Sequence, residues 1–252
     1  MSSESRHIFR DADALARNSA IFLLRHAQQA VEEQGICTVA LSGGSTPRKL
    51  YTLLASDPEF AAFPWAQTHF FFGDERHVPP SHLDSNYLMA SNTLLATGRV
   101  PAANVHRVHA ELPDANQAAA DYEVELRMFF SPLLRLDNCP RFDVILLGMG
   151  PDGHTASLFP GTKGLAEQER WVIANWVEKF NSFRITFTYP VLNAARAIFL
   201  QVAGPDKADM LHSVLVSEAK TFNHPVQRVQ PVDGVKLWLL DQAAAARLPK
   251  TY

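Results

Sequence analysis

Two side chains capable of acid–base chemistry, Asp152 and His154, lie two residues apart in the segment FDVILLGMGPDGHTASLFPG, which covers residues 142–161. An imidazole ordinarily titrates near neutral pH, so it can take a proton from water or give one to a leaving group. A neighbouring carboxylate can fix which ring nitrogen carries the proton. The alternative interpretation is a structural histidine that only makes hydrogen bonds, and the spacing alone does not separate the two.

The residues around this pair predict how the fold positions it. Residues 142–147 form an apolar run, which is typical of a strand buried on both faces of a parallel sheet. Three glycines within residues 148–153 then permit a sharp turn at the carboxyl end of that strand. Ligands of open α/β sheets bind at this edge. A short helix is expected to follow, starting at Thr155 or Ser157.

A second strand-to-helix junction is rich in small and hydroxylated residues. The run Cys37–Leu41 predicts a strand, and SGGSTP follows it directly, before a predicted helix. Such a loop presents unpaired N–H groups at the positive end of a helix dipole, which indicates a phosphate site. Its residue order matches neither the Walker loop nor GxGxxG, and a plain turn capped by a hydroxyl is the alternative. The candidate ligands are Gly43, Gly44, Ser45 and Thr46.

A third polar segment follows the aromatic run His69–Phe72, which predicts another buried strand. Asp74 and Arg76 come just after it, and they alternate along an extended chain, so both can face one cleft. A solvated turn is the alternative. The polar loop Val78–Asn86 is long for a compact domain, and such loops are often functional.

Strands and helices alternate along the rest of the chain. Arg184 begins one predicted strand, and Lys207 lies at a further strand-to-helix junction. The alternation, with Gly-rich turns after strands, indicates a Rossmann-like, doubly wound, mostly parallel sheet flanked by helices, with room for a small sub-lobe. The other predicted strands cover 7–11, 105–108, 171–177, 184–189, 197–202 and 235–240, and the predicted helices cover 12–34, 88–95, 116–134, 208–216 and an Ala-rich C-terminal segment.

Composition limits the classes of function. The chain has 252 residues, 47% of them hydrophobic, which suits one α/β domain over residues 1–252. A net charge of −3 gives no basic field for nucleic acid or for a membrane surface, so a small molecule is the expected partner. The cysteines lack metal-ligand spacing, and no apolar targeting segment is visible, so we expect a cytoplasmic monomer or small homo-oligomer.

Six segments, taken in order across nearly the whole chain, resemble the 6-phosphogluconolactonase family: LSGGSTPRKLY, FFGDERHVPPSHLDSNY, LLGMGPDGHTASLFPG, RITFTYPVLNAAR, VAGPDKADMLHSVL and VKLWLLDQAAA. The family belongs to a wider fold group that also holds glucosamine-6-phosphate deaminase/isomerases and sugar-phosphate-sensing regulator domains. The resemblance implies a Rossmann-like sheet, no metal or organic cofactor, and hydrolysis of 6-phospho-D-glucono-1,5-lactone to 6-phosphogluconate in the oxidative pentose phosphate pathway.

Two departures separate this chain from the deaminases of that group. They carry a catalytic glutamate in a pattern like GHIAFNEPG, whereas residues 157–160 here are Ser-Leu-Phe-Pro. Arg76 also replaces their aromatic residue after the Asp-Glu pair. The lactonase is therefore favoured, with the deaminase/isomerase and a non-catalytic sugar-phosphate sensor as alternatives. Sensors are usually fused to a helix-turn-helix, for which this chain offers no basic segment.

Hydrolysis of a lactone needs an activated water, a stabilised oxyanion and a proton for the departing ring oxygen. His154 is the candidate general base, and Asp152 the group that orients it. The amides of the glycine loop, or Arg76, are candidates for binding the oxyanion. Asp74 is expected to bind a sugar hydroxyl or to orient Arg76. Resemblance to the wider fold group assigns the 6-phosphate to Ser45, Thr46, Arg184 and Lys207.

Overall fold

The computed structural model describes residues 3–133, 139–216 and 224–249. Across these residues the chain forms nine strands: β1 (Ser3–Phe9), β2 (Cys37–Leu41), β3 (Thr68–Phe72), β4 (Asp74–Arg76), β5 (Val144–Gly148), β6 (Val172–Val177), β7 (Ser182–Phe187), β8 (Ala197–Val202) and β9 (Val235–Asp241). Six of them make a parallel sheet in the order β1-β9-β8-β5-β2-β3, and the other three make an antiparallel sheet in the order β4-β7-β6. The predicted α/β architecture, with a mostly parallel sheet, is confirmed.

Six α-helices flank the sheets within the described residues. The longest begins after Asp11, whose carboxylate accepts hydrogen bonds from the N–H groups of Asp13 and Ala14. It ends at Gly35, which adopts the left-handed φ of 83° that glycine tolerates best. None of these helices is both long and apolar enough to cross a membrane. The helices are α1 (Ala12–Gln34), α2 (Ser45–Ser56), α3 (Asn86–Thr93), α4 (Ala115–Phe130), α5 (Tyr189–Ala194) and α6 (Ala208–Val216).

The central strands of the parallel sheet are buried from end to end. Every residue of β2 and β8 is buried, as are the first four residues of β5. Strands covered on both faces need apolar side chains at successive positions, which explains why these segments read as continuous hydrophobic runs. Burial fixes the strands firmly, so the loops at their ends have a rigid support.

The order of the strands creates a crevice in the middle of the sheet. From β2 the chain moves outward to β3, whereas from β5 it moves in the opposite direction to β8 and then β9. The direction of winding therefore reverses between β2 and β5, which are paired neighbours. Open α/β sheets bind ligands outside the carboxyl ends of the strands at such a reversal. Both Gly-rich loops identified in the sequence leave the sheet at this point.

The second sheet makes Asp74–Arg76 a strand, so the chain is extended there, as predicted, and does not form the solvated turn that was the alternative. The pairing that makes β4 a strand comes from β7, more than one hundred residues further along, so local sequence did not reveal it. Gly73 joins the two sheets: its N–H donates to the carbonyl of Leu41, and its carbonyl accepts from the N–H of Phe187. The interpretation of residues 1–252 as one domain stays a prediction.

Three predicted elements are wrong. Residues 105–108 make only a single bridge, between Val105 and Phe70, instead of a strand. The helix expected after His154 is replaced by a tight turn, because Ala156 has a φ of 46°, which a right-handed helix does not allow. The Ala-rich segment after β9 forms turns, and its described part ends at residue 249. The predicted helix over 116–134 ends at Phe130, and its last residue lies outside the described residues.

Candidate active site

A cavity of about 360 Å³ opens at the carboxyl edge of the parallel sheet, beside the point where the winding reverses. Both Gly-rich loops, the start of α6 and the second sheet contribute to its wall. Asp152 does not line the cavity, but it is hydrogen-bonded to His154, which does. The structure therefore gathers the predicted site residues around one space, and those that line it are Gly43, Gly44, Ser45, Thr46, Asp74, Arg76, His154, Arg184 and Lys207.

The imidazole of His154 is fixed by the carboxylate of Asp152. Nδ1 of His154 lies 2.5 Å from Oδ1 of Asp152, and Nζ of Lys179 lies 3.6 Å from the other carboxylate oxygen. Burial raises the pKa of Asp152, but the hydrogen bond and the charge of His154 outweigh it and lower the pKa below the ordinary value. An ionised Asp152 accepts a hydrogen bond from the N–H group at Nδ1, which keeps that nitrogen protonated. Nε2 is therefore the ring nitrogen that can receive a proton.

Packing also restricts the ring of His154. It stacks on Phe159, with ring centroids 4.0 Å apart and planes inclined by 25°. On another side the ring approaches the backbone of Gly150 so closely that a Cβ there would lie 2.0 Å from Nδ1. Gly150 is therefore required for space, and the glycines of this loop do more than permit the turn.

The glycine loop forms the opposite wall of the cavity. Gly44 precedes the first turn of α2 with a φ of 110°, and Ser45 and Thr46 are the first residues of the helix. The hydroxyl of Tyr51 fixes the start of the loop, because it accepts a hydrogen bond from the N–H of Ser42 and donates one to the carbonyl of Ser42. The first N–H groups of a helix have no partner within it, so this helix start suits an anion, and the phosphate site stays a prediction.

Asp74 is held at the base of the cavity by neutral donors. The hydroxyl of Ser157 donates to Oδ2 of Asp74 at 2.7 Å, and the side-chain amide of Asn86 donates to its carbonyl at 2.9 Å. The same Asn86 amide leaves no room for a side chain at Gly43, where a Cβ would lie 1.8 Å from Oδ1. Among the described residues Asp74 makes no ion pair with Arg76, so nothing here supports its predicted role in orienting that guanidinium.

Glu75, the residue between Asp74 and Arg76, fixes the start of α3. Its buried carboxylate accepts hydrogen bonds from the N–H groups of Asn86 and Tyr87, each at 2.7 Å. Burial is the larger influence and raises the pKa of Glu75 in spite of these bonds. The consequence is that Asn86 is anchored on both sides, toward Asp74 and toward the helix.

Cationic groups cluster around the mouth of the cavity. Arg76 and Arg184 are directly opposite each other in the β4–β7 pair, and Arg184 lies over the ring of Phe180 at 5.0 Å. Burial, followed by the charge of Arg76, lowers the pKa of Arg184. Lys207 pairs with Asp206 at 2.8 Å.

In the described parts of the chain, no group of three or more His, Cys, Asp and Glu side chains is arranged to hold a metal ion.

Sequence analysis missed several residues of the wall. Gln201 was detectable in principle, because it interrupts an otherwise apolar strand. Asn86 lies at the end of the predicted functional loop, but its contact with the glycine loop depends on the fold. The aromatic neighbours have no local signal, since hydrophobic residues are common everywhere. The missed wall residues are Ser42, Asn86, Ser157, Phe159, Phe180 and Gln201.

The sequence and the fold of the chain are similar to those of known proteins. The family described as glucosamine-6-phosphate isomerases/6-phosphogluconolactonase matches residues 10–238. A 6-phosphogluconolactonase of Nostoc sp. is 42% identical over 238 residues, covering 94% of this chain and 95% of that protein. The crystal structure of a devB protein has a TM-score of 0.88 and 34% identity, covering 99% of this chain and all of that one. The 6-phosphogluconolactonase of Trypanosoma cruzi has a TM-score of 0.84 and 28% identity, covering 98% of both chains.

Proposed function

Because the chain belongs to the glucosamine-6-phosphate isomerase/6-phosphogluconolactonase family, we propose that it hydrolyses 6-phospho-D-glucono-1,5-lactone to 6-phospho-D-gluconate. This reaction belongs to the oxidative pentose phosphate pathway. The observation that carries the proposal is the pair formed by His154 and Asp152 on a cavity whose mouth holds Arg76, Arg184 and Lys207. A general base and a cluster of cations are what a phosphorylated lactone requires.

In the first step His154 acts on water. Nε2 takes a proton as the water oxygen attacks the lactone carbonyl carbon, and the carbonyl oxygen becomes an oxyanion. Asp152 keeps Nδ1 protonated and stabilises the imidazolium that forms. A positioned general base of this kind typically contributes about 10²- to 10⁴-fold to the rate.

In the second step the tetrahedral intermediate collapses. The bond between the former carbonyl carbon and the ring oxygen breaks, and the ring oxygen takes the proton from Nε2 of His154. The product is an acid that loses its proton to water near neutral pH. We assign stabilisation of the oxyanion to the N–H groups of Gly43 and Gly44 or to Arg76, all of which line the cavity.

The phosphate end of the substrate is assigned to the cations and to the start of α2. Arg184 and Lys207, with Ser45 and Thr46, supply charged and neutral donors to the wall of the cavity. A guanidinium binds two phosphate oxygens at once, which orients the group as well as holding it. Asp74, fixed by neutral donors, is available to accept a hydrogen bond from a sugar hydroxyl.

The contacts of residues 157–160 favour the lactonase over an amino-sugar deaminase. Ser157 is used in binding Asp74, and Phe159 supports the ring of His154. No carboxylate is present in this segment to assist ring opening or departure of an amine. We also place the protein in the cytoplasm, where a buried thiol such as that of Cys37 stays reduced.

The test is a coupled assay in which 6-phosphogluconolactone is generated in place and acid release is followed against the spontaneous rate. We expect acceleration by the protein, none with unphosphorylated gluconolactone, and release of no ammonia from glucosamine 6-phosphate. His154→Ala should lower kcat by about 10²- to 10⁴-fold while 6-phosphogluconate still binds. Full activity of His154→Ala would overturn the mechanism, and no acceleration by the unaltered protein would overturn the function.

A further inference from the structure

A buried side-chain amide that has no partner among the described residues lies in the wall of the active-site cavity. Gln201 is 2% exposed, and within residues 3–133, 139–216 and 224–249 neither Oε1 nor Nε2 has a hydrogen-bond partner. The hydroxyl of Ser42, another buried residue of this wall, also lacks one. Nε of Arg184, on the same wall, is a fourth such atom and belongs to a cation. Nearly all buried polar groups are paired, and an unpaired one is costly, so the three neutral atoms of Gln201 and Ser42 need an explanation of their own.

Gln201 lies in the interior of the parallel sheet, so its side chain is not a solvent-exposed polar group. It lies on β8, where every residue is buried, and it is paired with Gly148 of β5 and Leu239 of β9. Gly148 is the last residue of the strand that leads to the His154 loop. Because the backbone of Gln201 is paired on both sides, its amide is held at the cavity. An apolar residue could fill the same place without the free-energy cost of burying an unpaired polar group.

The chemistry of the unpaired atoms indicates what binds them. An amide offers a donor at Nε2 and an acceptor at Oε1, and the Ser42 hydroxyl can do either. A phosphate dianion only accepts hydrogen bonds and cannot satisfy Oε1. A sugar hydroxyl both donates and accepts, so it can pair with Oε1 as a donor or with Nε2 as an acceptor.

From this we infer that Gln201, assisted by Ser42, is a specificity-determining residue that hydrogen-bonds a hydroxyl group of the sugar part of the substrate. The inference rests on the proposed function, because the bound molecule is a phosphorylated sugar lactone. It assigns the phosphate to the cationic groups and a hydroxyl of the sugar to these neutral polar groups. A site that binds a hydroxyl in this way rejects ligands that lack it, since the amide is then left unpaired.

Binding of two ligands to three proteins tests the assignment. Calorimetry would measure the affinity of 6-phosphogluconate and of inorganic phosphate for the unaltered protein, Gln201→Met and Gln227→Leu. Gln227 is the matched control, because its amide is fully used: Oε1 accepts from the N–H of His224, and Nε2 donates to the carbonyl of Val214. Gln201→Leu repeats the test with a second apolar side chain if the methionine variant fails to fold.

We expect Gln201→Met to weaken 6-phosphogluconate binding by about 5- to 100-fold and phosphate binding by less than about twofold, with an unchanged or higher melting temperature. Gln227→Leu should lower the melting temperature and leave the ratio of the two affinities unchanged. Equal loss for both ligands, or loss for neither, would overturn the inference.

Lactone hydrolysis by the unaltered protein is measured separately. Selective weakening in Gln201→Met together with no hydrolysis by the unaltered protein would support the hydroxyl contact and reject the proposed function.

Discussion

Replacing Gly150 with alanine tests whether the position of the His154 ring determines the rate. A Cβ on residue 150 would lie 2.0 Å from both Nδ1 and Cε1 of His154, and 2.9 Å from Oδ1 of Asp152. Ordinary contact begins at 3.4 Å, so the ring has to retreat by about 1.4 Å. The stacked Phe159 blocks part of that movement. We therefore expect the imidazole to lose both its position and its bond to Asp152.

The size of the effect follows from this displacement. Misplacing a reacting group by about 1 Å costs on the order of 10²-fold in rate, and loss of a general base costs up to about 10⁴-fold. We expect kcat of Gly150→Ala to fall within this range. Binding of 6-phosphogluconate should change much less, because the proposed phosphate ligands belong to other elements.

The lactone assay with matched glycine variants measures this. Gly73→Ala is the control, since its Cβ would meet nothing closer than 3.6 Å, the carbonyl oxygen of Leu41. Circular dichroism and melting temperature verify that both variants fold. If Gly150→Ala folds and keeps kcat within about threefold of the unaltered protein, the close contact does not control catalysis and the reasoning is refuted.

Two further changes probe the charged groups. Arg184→Ala should mainly raise KM by about 10-fold or more, with Arg170→Ala as an exposed control, and a pure loss of kcat would contradict the phosphate assignment. The depressed pKa of Asp152 means that this carboxylate stabilises the fold above its unfolded pKa and loses that effect as pH falls through its folded pKa. The difference in unfolding free energy between the unaltered protein and Asp152→Asn should therefore shrink below about pH 4. A difference that grows toward acid pH in denaturant titrations would contradict this sign.

The sequence alone was sufficient to locate the two site loops, because each of them follows a buried strand and is rich in glycine. Both loops, with His154 and Ser45 on them, were located because apolar runs followed by glycine depend only on local residues. Parallel pairing then brought them to one edge of the sheet. The roles of the individual side chains stay predictions, although the structure gathers them around one cavity.

Three features could not be predicted from local sequence, because they depend on a distant strand, on one backbone angle or on a ligand. β4 is a charged tripeptide that pairs into a sheet only through β7, which lies far along the chain. The helix expected after His154 does not form because Ala156 has a left-handed conformation. Gln201 interrupts an apolar strand, but its inferred partner is a ligand, so the chain alone does not show its role.

The register of the second sheet also has a consequence for how the protein responds to its solution. Arg76 and Arg184 face each other across two paired strands, so in the free protein their charges repel. An anion bound between them removes that repulsion, and the protein should melt at a higher temperature with phosphate or sulfate present. If the proposed phosphate assignment holds, the same anions should compete with substrate, and added salt should weaken attraction to the pair. Kinetic constants for this protein are therefore comparable only at one ionic strength and in buffers free of multivalent anions.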